Sequence, residues 1–154
     1  MNDTCESSVP GVYAVGDVNG GPQFTYISLD DFRIVFGALT GNGQYTLKDR
    51  KNIPYTTFLT PPLARVGLTE EDAINKGYTV KTKEMLVATM PRAHVNDYLK
   101  GAFKIVVNAD NDLILGATLY SQAAEELINL IKMAMDNNIP YTYFKNQIFT
   151  HPTM

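Results

Sequence analysis

The chain has 154 residues, is 45% hydrophobic and carries a formal net charge of -3. That length suits one globular domain, or one domain with part of another, and the slightly acidic balance with scattered lysines excludes a basic surface for nucleic acid. No apolar run approaches the ~20 residues of a membrane-spanning helix and the polar start lacks a signal-peptide core, so we expect no membrane segment and a cytoplasmic location.

The first predicted elements are a strand and a helix joined by a glycine-rich turn. The apolar run at residues 12–15 predicts a buried strand, which is closed by Gly16 and Asp17. Apolar residues at helical spacing then predict a helix over residues 23–40. Gly41 stands where a residue with left-handed backbone often ends a helix.

A polar stretch at residues 42–52 predicts a linker between two parts of the chain. We therefore divide the chain into residues 1–49 and residues 50–154. The single cysteine, Cys5, allows no internal disulfide. We expect it to be an exposed or half-exposed thiol rather than a catalytic one, because nothing nearby in the sequence would lower its pKa.

Residues 50–154 predict an α+β fold, in which an antiparallel sheet carries helices on one face. Thr69 and Asp72 form a capping-box signal for a short helix that Gly77 ends. A polar loop at residues 108–112 predicts that the last two strands form a hairpin. The strand-like runs are residues 55–59, 63–66, 79–87, 102–107 and 113–119.

A long helix is predicted after the last strand. Ser121 occupies the N-cap position, and Glu125 and Glu126 bring negative charge to the first turns. The helix should end near Asp136, because Pro140 disfavours helical backbone at the residue before it. Its apolar positions extend beyond the ordinary ~100° stripe, which indicates either plain core packing or a subunit interface.

Asp17 is the first candidate for a binding role. It follows the carboxyl end of the predicted strand, and the amino end of the next predicted helix would point back to the same place. In open α/β sheets this arrangement holds nucleotides, and a carboxylate there can bind ribose-type hydroxyls. A glycine and an aspartate after a strand can also form a simple turn, which is the alternative.

His151 is the second candidate, within the segment THPT at residues 150–153. Imidazole titrates near neutral pH, and Pro152 restricts the backbone at His151, so the ring could be aimed with little loss of entropy. A structural histidine is the alternative. His94 is the only other histidine, and two histidines in unlike contexts do not make a metal site, so we expect none.

Together these motifs resemble the C-terminal part of the flavin-dependent, class I pyridine nucleotide-disulfide oxidoreductases, the family of glutathione reductase, dihydrolipoamide dehydrogenase and mercuric reductase. The motif VYAVGD at residues 12–17 is similar to the family's second flavin-binding motif, and TPPLARVGLTE at residues 60–70 is similar to the opening of the interface domain. LILGA at residues 113–117 resembles the strand that precedes the helix of the dimer contact. The run at residues 19–31 further resembles a bacterial branch that is associated with reactive-chlorine resistance.

The resemblance implies a role for each end of the chain. His151 would be the catalytic acid/base residue and would act on the cysteine pair or the substrate of the partner subunit. The full-length enzyme would use FAD and NAD(P)H, and it would form a homodimer through the helix at residues 121–136 and the C-terminal segment. The residues that bind FAD would be Gly16, Asp17, Gln23, Phe24 and Thr25.

The glycine-rich dinucleotide motifs and the cysteine pair that this family needs are missing from the sequence. The glutamate that orients the family's histidine should come shortly after Thr153, beyond Met154. We therefore expect a truncated or excised portion of a larger enzyme, with residues 1–49 as a remnant of the FAD-binding domain and residues 50–154 as the dimerisation domain. Alone, it should be inactive and retain no cofactor. The alternative is a stand-alone dimerising interaction domain without chemistry.

Overall fold

A computed structural model describes all 154 residues of the chain, which form two compact units, Met1–Lys51 and Asn52–Met154. The boundary between the units falls within the polar stretch at residues 42–52. No helix in either unit is both long and apolar enough to cross a lipid bilayer.

The helical elements of the first unit are one long helix and two short 3₁₀ helices. They are α1 (Thr25–Thr40) and the 3₁₀ helices Gly16–Asn19 and Leu47–Asp49. Helix α1 begins at Thr25 rather than at residue 23, because Phe24 has extended backbone with a φ of -136°. It ends as predicted at Gly41, whose φ of 72° is left-handed.

Residues 12–15 form a single bridge instead of the predicted buried strand. Tyr13 pairs with Glu6, whereas Val12 and Val15 are exposed. A strand needs a neighbour that pairs its N–H and C=O groups along its length, and this unit supplies only the one bridge.

Cys5 is fully buried, so the expected exposed thiol is wrong. The chain folds back over this residue: the Cys5 C=O accepts a hydrogen bond from the Ala14 N–H at 2.9 Å, and the Asn2 side chain caps the turn by accepting from the N–H of Glu6 at 2.9 Å. Burial raises the pKa of the Cys5 thiol, and the nearby Asp31 carboxylate raises it further, which keeps the thiol protonated.

The second unit is built on a five-stranded antiparallel sheet in the spatial order β1-β2-β5-β4-β3. The strands are β1 (Tyr55–Thr57), β2 (Leu63–Gly67), β3 (Val80–Leu86), β4 (Ala102–Asn108) and β5 (Ile114–Tyr120). Each strand predicted within residues 50–154 corresponds to one of these. The α+β class and the hairpin formed by β4 and β5 are therefore confirmed.

Four α-helices and the short 3₁₀ helix Val87–Thr89 accompany the sheet. The α-helices are α2 (Glu70–Asn75), α3 (Pro91–Val95), α4 (Ala124–Asp136) and α5 (Tyr141–Asn146). The capping box of α2 is confirmed, since Thr69 Oγ1 accepts the Asp72 N–H at 3.0 Å and the Asp72 carboxylate accepts the Thr69 N–H at 3.2 Å. The sequence does not predict α3 and α5, because such short helices show no clear periodicity.

Helix α4 ends at Asp136 as predicted, but its start differs from the prediction. Ala123, in left-handed backbone with a φ of 61°, occupies the N-cap position. Ser121 is buried, and its hydroxyl donates to the C=O of Gln122 at 2.9 Å instead of capping the helix. The predicted cap at Ser121 is wrong because an extra turn of chain lies between the strand and the helix.

Helix α4 packs on one face of the sheet, where it covers β2 and β5. The buried side chains of this core are Ala64, Val66, Ala117, Leu119, Ala124 and Ile128. Helix α2 begins over the other face, because Glu70 accepts hydrogen bonds from Thr82 at 3.2 Å and Lys104 at 2.7 Å. Side chains alternate along a strand, so Lys104 points away from its core neighbour Phe103.

Candidate functional site

The 3₁₀ helix Gly16–Asn19 presents Asp17 to solvent. Gly16 has a left-handed φ of 71°, and a Cβ atom at this position would lie 2.7 Å from Ser28 Oγ on α1, so a larger residue would strain the backbone and displace the Ser28 side chain. The helix closes with a bond from the Gly20 N–H to the Asp17 C=O at 3.2 Å. Asp17 therefore stands on a tight turn that lies against the first turns of α1.

The buried carboxylate of Asp31 on α1 bonds this turn. It is fully buried, and its Oδ2 accepts hydrogen bonds from the Gly16 N–H at 2.8 Å and from Asn19 Nδ2 at 2.7 Å. The Asn19 Oδ1 in turn accepts the Gly21 N–H at 2.8 Å. One carboxylate thus bonds both ends of the 3₁₀ helix, and through Asn19 it also fixes the following residues.

Arg50 supplies the positive charge that this buried carboxylate needs. Its guanidinium donates to Asp31 Oδ1 at 2.5 Å and to Asp30 Oδ2 at 2.7 Å, and its side chain is only 9% exposed. Burial alone would lower the pKa of Arg50, but the bonds to Asp31 and Asp30 outweigh burial and raise it. Paired, hydrogen-bonded charges of this kind offset much of the desolvation cost of burial.

Asp31 and Arg50 are not predicted as functional residues from the sequence. Asp31 lies between Ile27 and Ile34 on the buried face of α1, and all three side chains are buried. A carboxylate at such a position is almost never fully buried without a partner. The place of Asp31 on the apolar face of α1 could therefore have indicated a buried, paired carboxylate. It does not reveal which distant Lys or Arg side chain forms the pair.

The amino end of α1 has no side-chain cap and no acidic residue in its first turn. Gln23 and Thr25 are exposed, and the ring of Phe24 stacks on Tyr26 with the centroids 5.2 Å apart. The amino end of a helix carries partial positive charge, which favours an acceptor or anionic ligand. The structure therefore places the five predicted binding residues on one short segment, at and just before the start of α1.

His151 lies in the other unit, in the segment that follows α5. Its side chain is exposed and has no hydrogen bond within the chain, and the peptide bond to Pro152 is cis. Met154 packs against the cluster of Val87, Met90 and Ala93, so the end of the chain returns to the fold after His151. The imidazole is thus held at the surface between α5 and an anchored terminus.

His94 does not accompany His151. Its Nε2 lies 2.8 Å from the C=O of Ala88, which gives the ring a local structural bond at the surface. No group of three or more His, Cys, Asp or Glu side chains is arranged to hold a metal ion.

The sequence of the second unit matches a known domain. Residues 53–154 match the family model described as "Pyridine nucleotide-disulphide oxidoreductase, dimerisation domain". The chain belongs to the pyridine nucleotide-disulphide oxidoreductase family. This membership confirms the family that the spaced motifs indicate.

Individual relatives cover both units of this family member. The chain is 47% identical over 148 residues to the probable pyridine nucleotide-disulfide oxidoreductase RclA of Escherichia coli, with 96% of this chain and 34% of RclA covered. It is 37% identical to a mercuric reductase of Staphylococcus aureus, with 87% of this chain and 24% of that protein covered. The chain therefore spans about a third or less of the length of these relatives.

A solved structure shows the same fold over the whole chain. The HOCl-induced flavoprotein disulfide reductase RclA from Escherichia coli superposes with a TM-score of 0.97 at 45% identity, covering 100% of this chain and 35% of that one. The likeness to an HOCl-induced protein agrees with the predicted reactive-chlorine branch. Because it includes the first unit, the superposition extends beyond the dimerisation domain.

The dimerisation domain exposes apolar side chains on α4 and after it. Leu130 is 47% exposed and Met133 is 61% exposed on the side of α4 that does not cover the sheet. Tyr143 on α5 and Phe149 after it are about half exposed, and Ile148 is 93% exposed. We call these five residues the apolar surface of the domain. Where such side chains form a contiguous patch, they are typical of surfaces that bind another protein.

Proposed function

We propose that this chain is the C-terminal portion of an FAD- and NAD(P)H-dependent pyridine nucleotide-disulfide oxidoreductase. Residues 1–49 end its FAD-binding domain, and residues 50–154 are its dimerisation domain. The observation that carries the proposal is the likeness to RclA over the whole chain, including the turn with Asp17, at about a third of the length of RclA. We also propose a cytoplasmic location for this enzyme.

In this enzyme the first unit contributes one part of the flavin site. The residues fit such a group: Asp17 is an exposed carboxylate on a fixed turn, where it can accept hydrogen bonds from the hydroxyls of the ribityl chain. Gln23, Phe24 and Thr25 lie at the amino end of α1, next to this turn in the chain, and the partial positive charge of that end would favour acceptor atoms of the flavin. When bound, FAD would carry electrons from NAD(P)H, and Gly16 and Asp17 would orient the cofactor.

The second unit contributes His151 as an acid/base residue. Its exposed imidazole has no partner within the chain, so it is free to contact a group on another subunit. There it accepts the proton of a cysteine thiol, which generates the thiolate, and returns that proton when the thiol forms again. A histidine suits this role because its ordinary pKa lies near neutral pH.

The homodimer forms through α4 and the C-terminal segment, where the apolar surface lies. A two-fold contact places the same residues of the two subunits opposite each other, and a stable one buries about 1,600 Å² in total. Leu130→Glu sets a buried charge in this contact and weakens association by about 3–5 kcal/mol. Sedimentation should find the parent chain dimeric and Leu130→Glu monomeric.

The matched control for this experiment is Ile74→Glu. Ile74 is 55% exposed on α2, outside the apolar surface, so its substitution should leave the dimer intact. A parent chain that is monomeric at high concentration, or a Leu130→Glu variant that still forms dimers, would rule out this interface.

The function itself is tested on the full-length protein that contains this chain. We expect one FAD per subunit and FAD-dependent oxidation of NAD(P)H, whereas the 154-residue chain alone should lose its flavin on gel filtration. His151→Ala should lower turnover by about 10²- to 10⁴-fold while flavin content is unchanged. His94→Ala, the control, should leave turnover unchanged, because His94 bonds only its local backbone. A full-length protein that dimerises but binds no flavin would favour the alternative, an interaction domain without chemistry.

A further inference from the structure

The polar network under the Gly16–Asn19 turn is more extensive than the turn needs for its own folding. Within the turn, the backbone makes a single closing bond, at 3.2 Å. The shorter bonds at 2.8 Å and 2.7 Å come from one buried carboxylate of α1. Asp31 therefore fixes the turn more than the turn's own hydrogen bonding does.

We propose that Asp31 and Arg50 are positioning residues for flavin: they hold the Gly16–Asn19 turn in the conformation that presents Asp17 to the cofactor. This inference rests on the proposed flavin site. Neither side chain needs to touch the flavin. Asp31 is fully buried beneath the turn. Arg50 donates to Asp31 Oδ1, the carboxylate oxygen that does not bond the turn.

The arrangement explains why the network contains three charges. A buried carboxylate costs free energy unless it is paired and hydrogen-bonded, so the bonds to the turn need a positive charge beside Asp31. Arg50 supplies the opposite charge to Asp31, and Asp30 together with Asp31 fixes the plane of the guanidinium. Tyr45 adds a bond from its hydroxyl to Asp30 at 3.3 Å, which ties the segment before Arg50 to α1.

Asp30 offers a matched control because it bonds Arg50, as Asp31 does, but makes no hydrogen bond to the turn. Both aspartates accept a bond from the same guanidinium, yet only Asp31 contacts Gly16 and Asn19. A role limited to stability predicts that losing either aspartate has the same kind of effect. A positioning role predicts that flavin affinity responds to Asp31 much more than to Asp30.

The experiment compares Asp31→Asn and Asp30→Asn in the full-length protein. Two quantities are measured for each apoprotein: its melting temperature, and its Kd for FAD from the quenching of flavin fluorescence. Asp31→Asn should weaken FAD binding by about tenfold or more, as expected when charged hydrogen bonds to the turn are lost. Asp30→Asn should lower the melting temperature but change the Kd by no more than about twofold, because the bonds to the turn remain.

A second variant covers the case in which Asp31→Asn does not fold. Asn19→Ala leaves the ion pair of Asp31 and Arg50 intact and removes only the bonds that Asn19 makes to Asp31 and Gly21. It should weaken FAD binding by about fivefold with little change in melting temperature, as the loss of ordinary hydrogen bonds implies.

The outcomes separate this inference from the proposed function. If the unsubstituted full-length protein binds no FAD, the proposed function is wrong and the inference falls with it. If that protein binds FAD and both Asp31→Asn and Asn19→Ala bind it equally well, only the inference is overturned. Equal weakening by Asp31→Asn and Asp30→Asn would also overturn it, because the network would then act through stability alone.

Discussion

Different interactions stabilise the two units of this chain internally. The second unit buries apolar side chains between α4 and a five-stranded sheet, and all of its strands are paired. The first unit has one long helix and a single bridge, and its most buried polar group is the carboxylate of Asp31. Apolar burial stabilises a domain by itself, whereas a paired buried charge contributes little net stability. The second unit therefore has the features of an independent domain.

One side of helix α1 is apolar but exposed to solvent. Along the side away from Ile27 and Ile34 it carries four large apolar residues that are each more than half exposed, namely Leu29, Phe32, Phe36 and Leu39. The rings of Phe32 and Phe36 contact each other, with centroids 5.7 Å apart. An apolar stripe of this length normally packs against another element. Its exposure supports the proposal that residues 1–49 belong to a larger FAD-binding domain.

The largest effect that would test this contrast comes from one substitution made in each unit. Ile128 and Ile34 are both almost fully buried, at 2% and 1% exposure. Ile128→Ala should lower the free energy of unfolding of the second unit by about 3 kcal/mol, through lost burial and a new cavity. Ile34→Ala should leave that main urea transition in place and affect only the first unit. Equal shifts of one shared transition would mean that the two units unfold as one.

The sequence predicts the second unit better than the first for a related reason. Strands β2 to β5 come from apolar or β-branched runs that pair with their neighbours in the same unit, so local pattern and final structure agree. Residues 12–15 have the same kind of pattern, but a strand forms only where a neighbouring strand is present, and here it is a single bridge. Ser121 fails as a cap because an extra turn of chain separates it from the helix, and its hydroxyl donates to the C=O of Gln122 instead.

Among the candidate functional residues, the sequence points only to exposed ones. Asp17 and His151 stand out in sequence because their motifs are local. The pair formed by Asp31 and Arg50 joins residues from a helix and from the predicted linker, and no periodicity links them. Charged pairs at this separation depend on how the chain folds back, which a pattern of single residues does not specify.

Hydrogen exchange should reveal the same contrast without any substitution. We expect the amides of residues 11–40 to exchange about a hundredfold faster than those of residues 102–119, because the latter lie in paired strands of the core sheet. Comparable protection in both segments would show that the first unit is as stable as the second.

The smallest expected effect uses a motif that both units share. Thr46 and Asp49 form a capping box in the first unit, as Thr69 and Asp72 do in the second. In each box the threonine hydroxyl and N–H donate to the carboxylate, and these bonds lower the pKa of both Asp49 and Asp72. A carboxyl whose pKa is lower when folded stabilises the fold above its unfolded pKa of about 3.9, and this contribution is lost as the pH falls through the folded value.

Asp72→Asn should therefore lower the melting temperature of the second unit at pH 6, and the difference from the parent chain should shrink as the pH falls below about 4. Glu71→Gln is the control for general charge effects, since Glu71 is exposed and makes no bond to Thr69. Asp49→Asn should leave this transition unchanged at every pH, because its box lies in the first unit. If Asp49→Asn instead shifts the transition as much as Asp72→Asn does, then the first unit contributes to the stability of the second, and the two are less independent than their cores indicate.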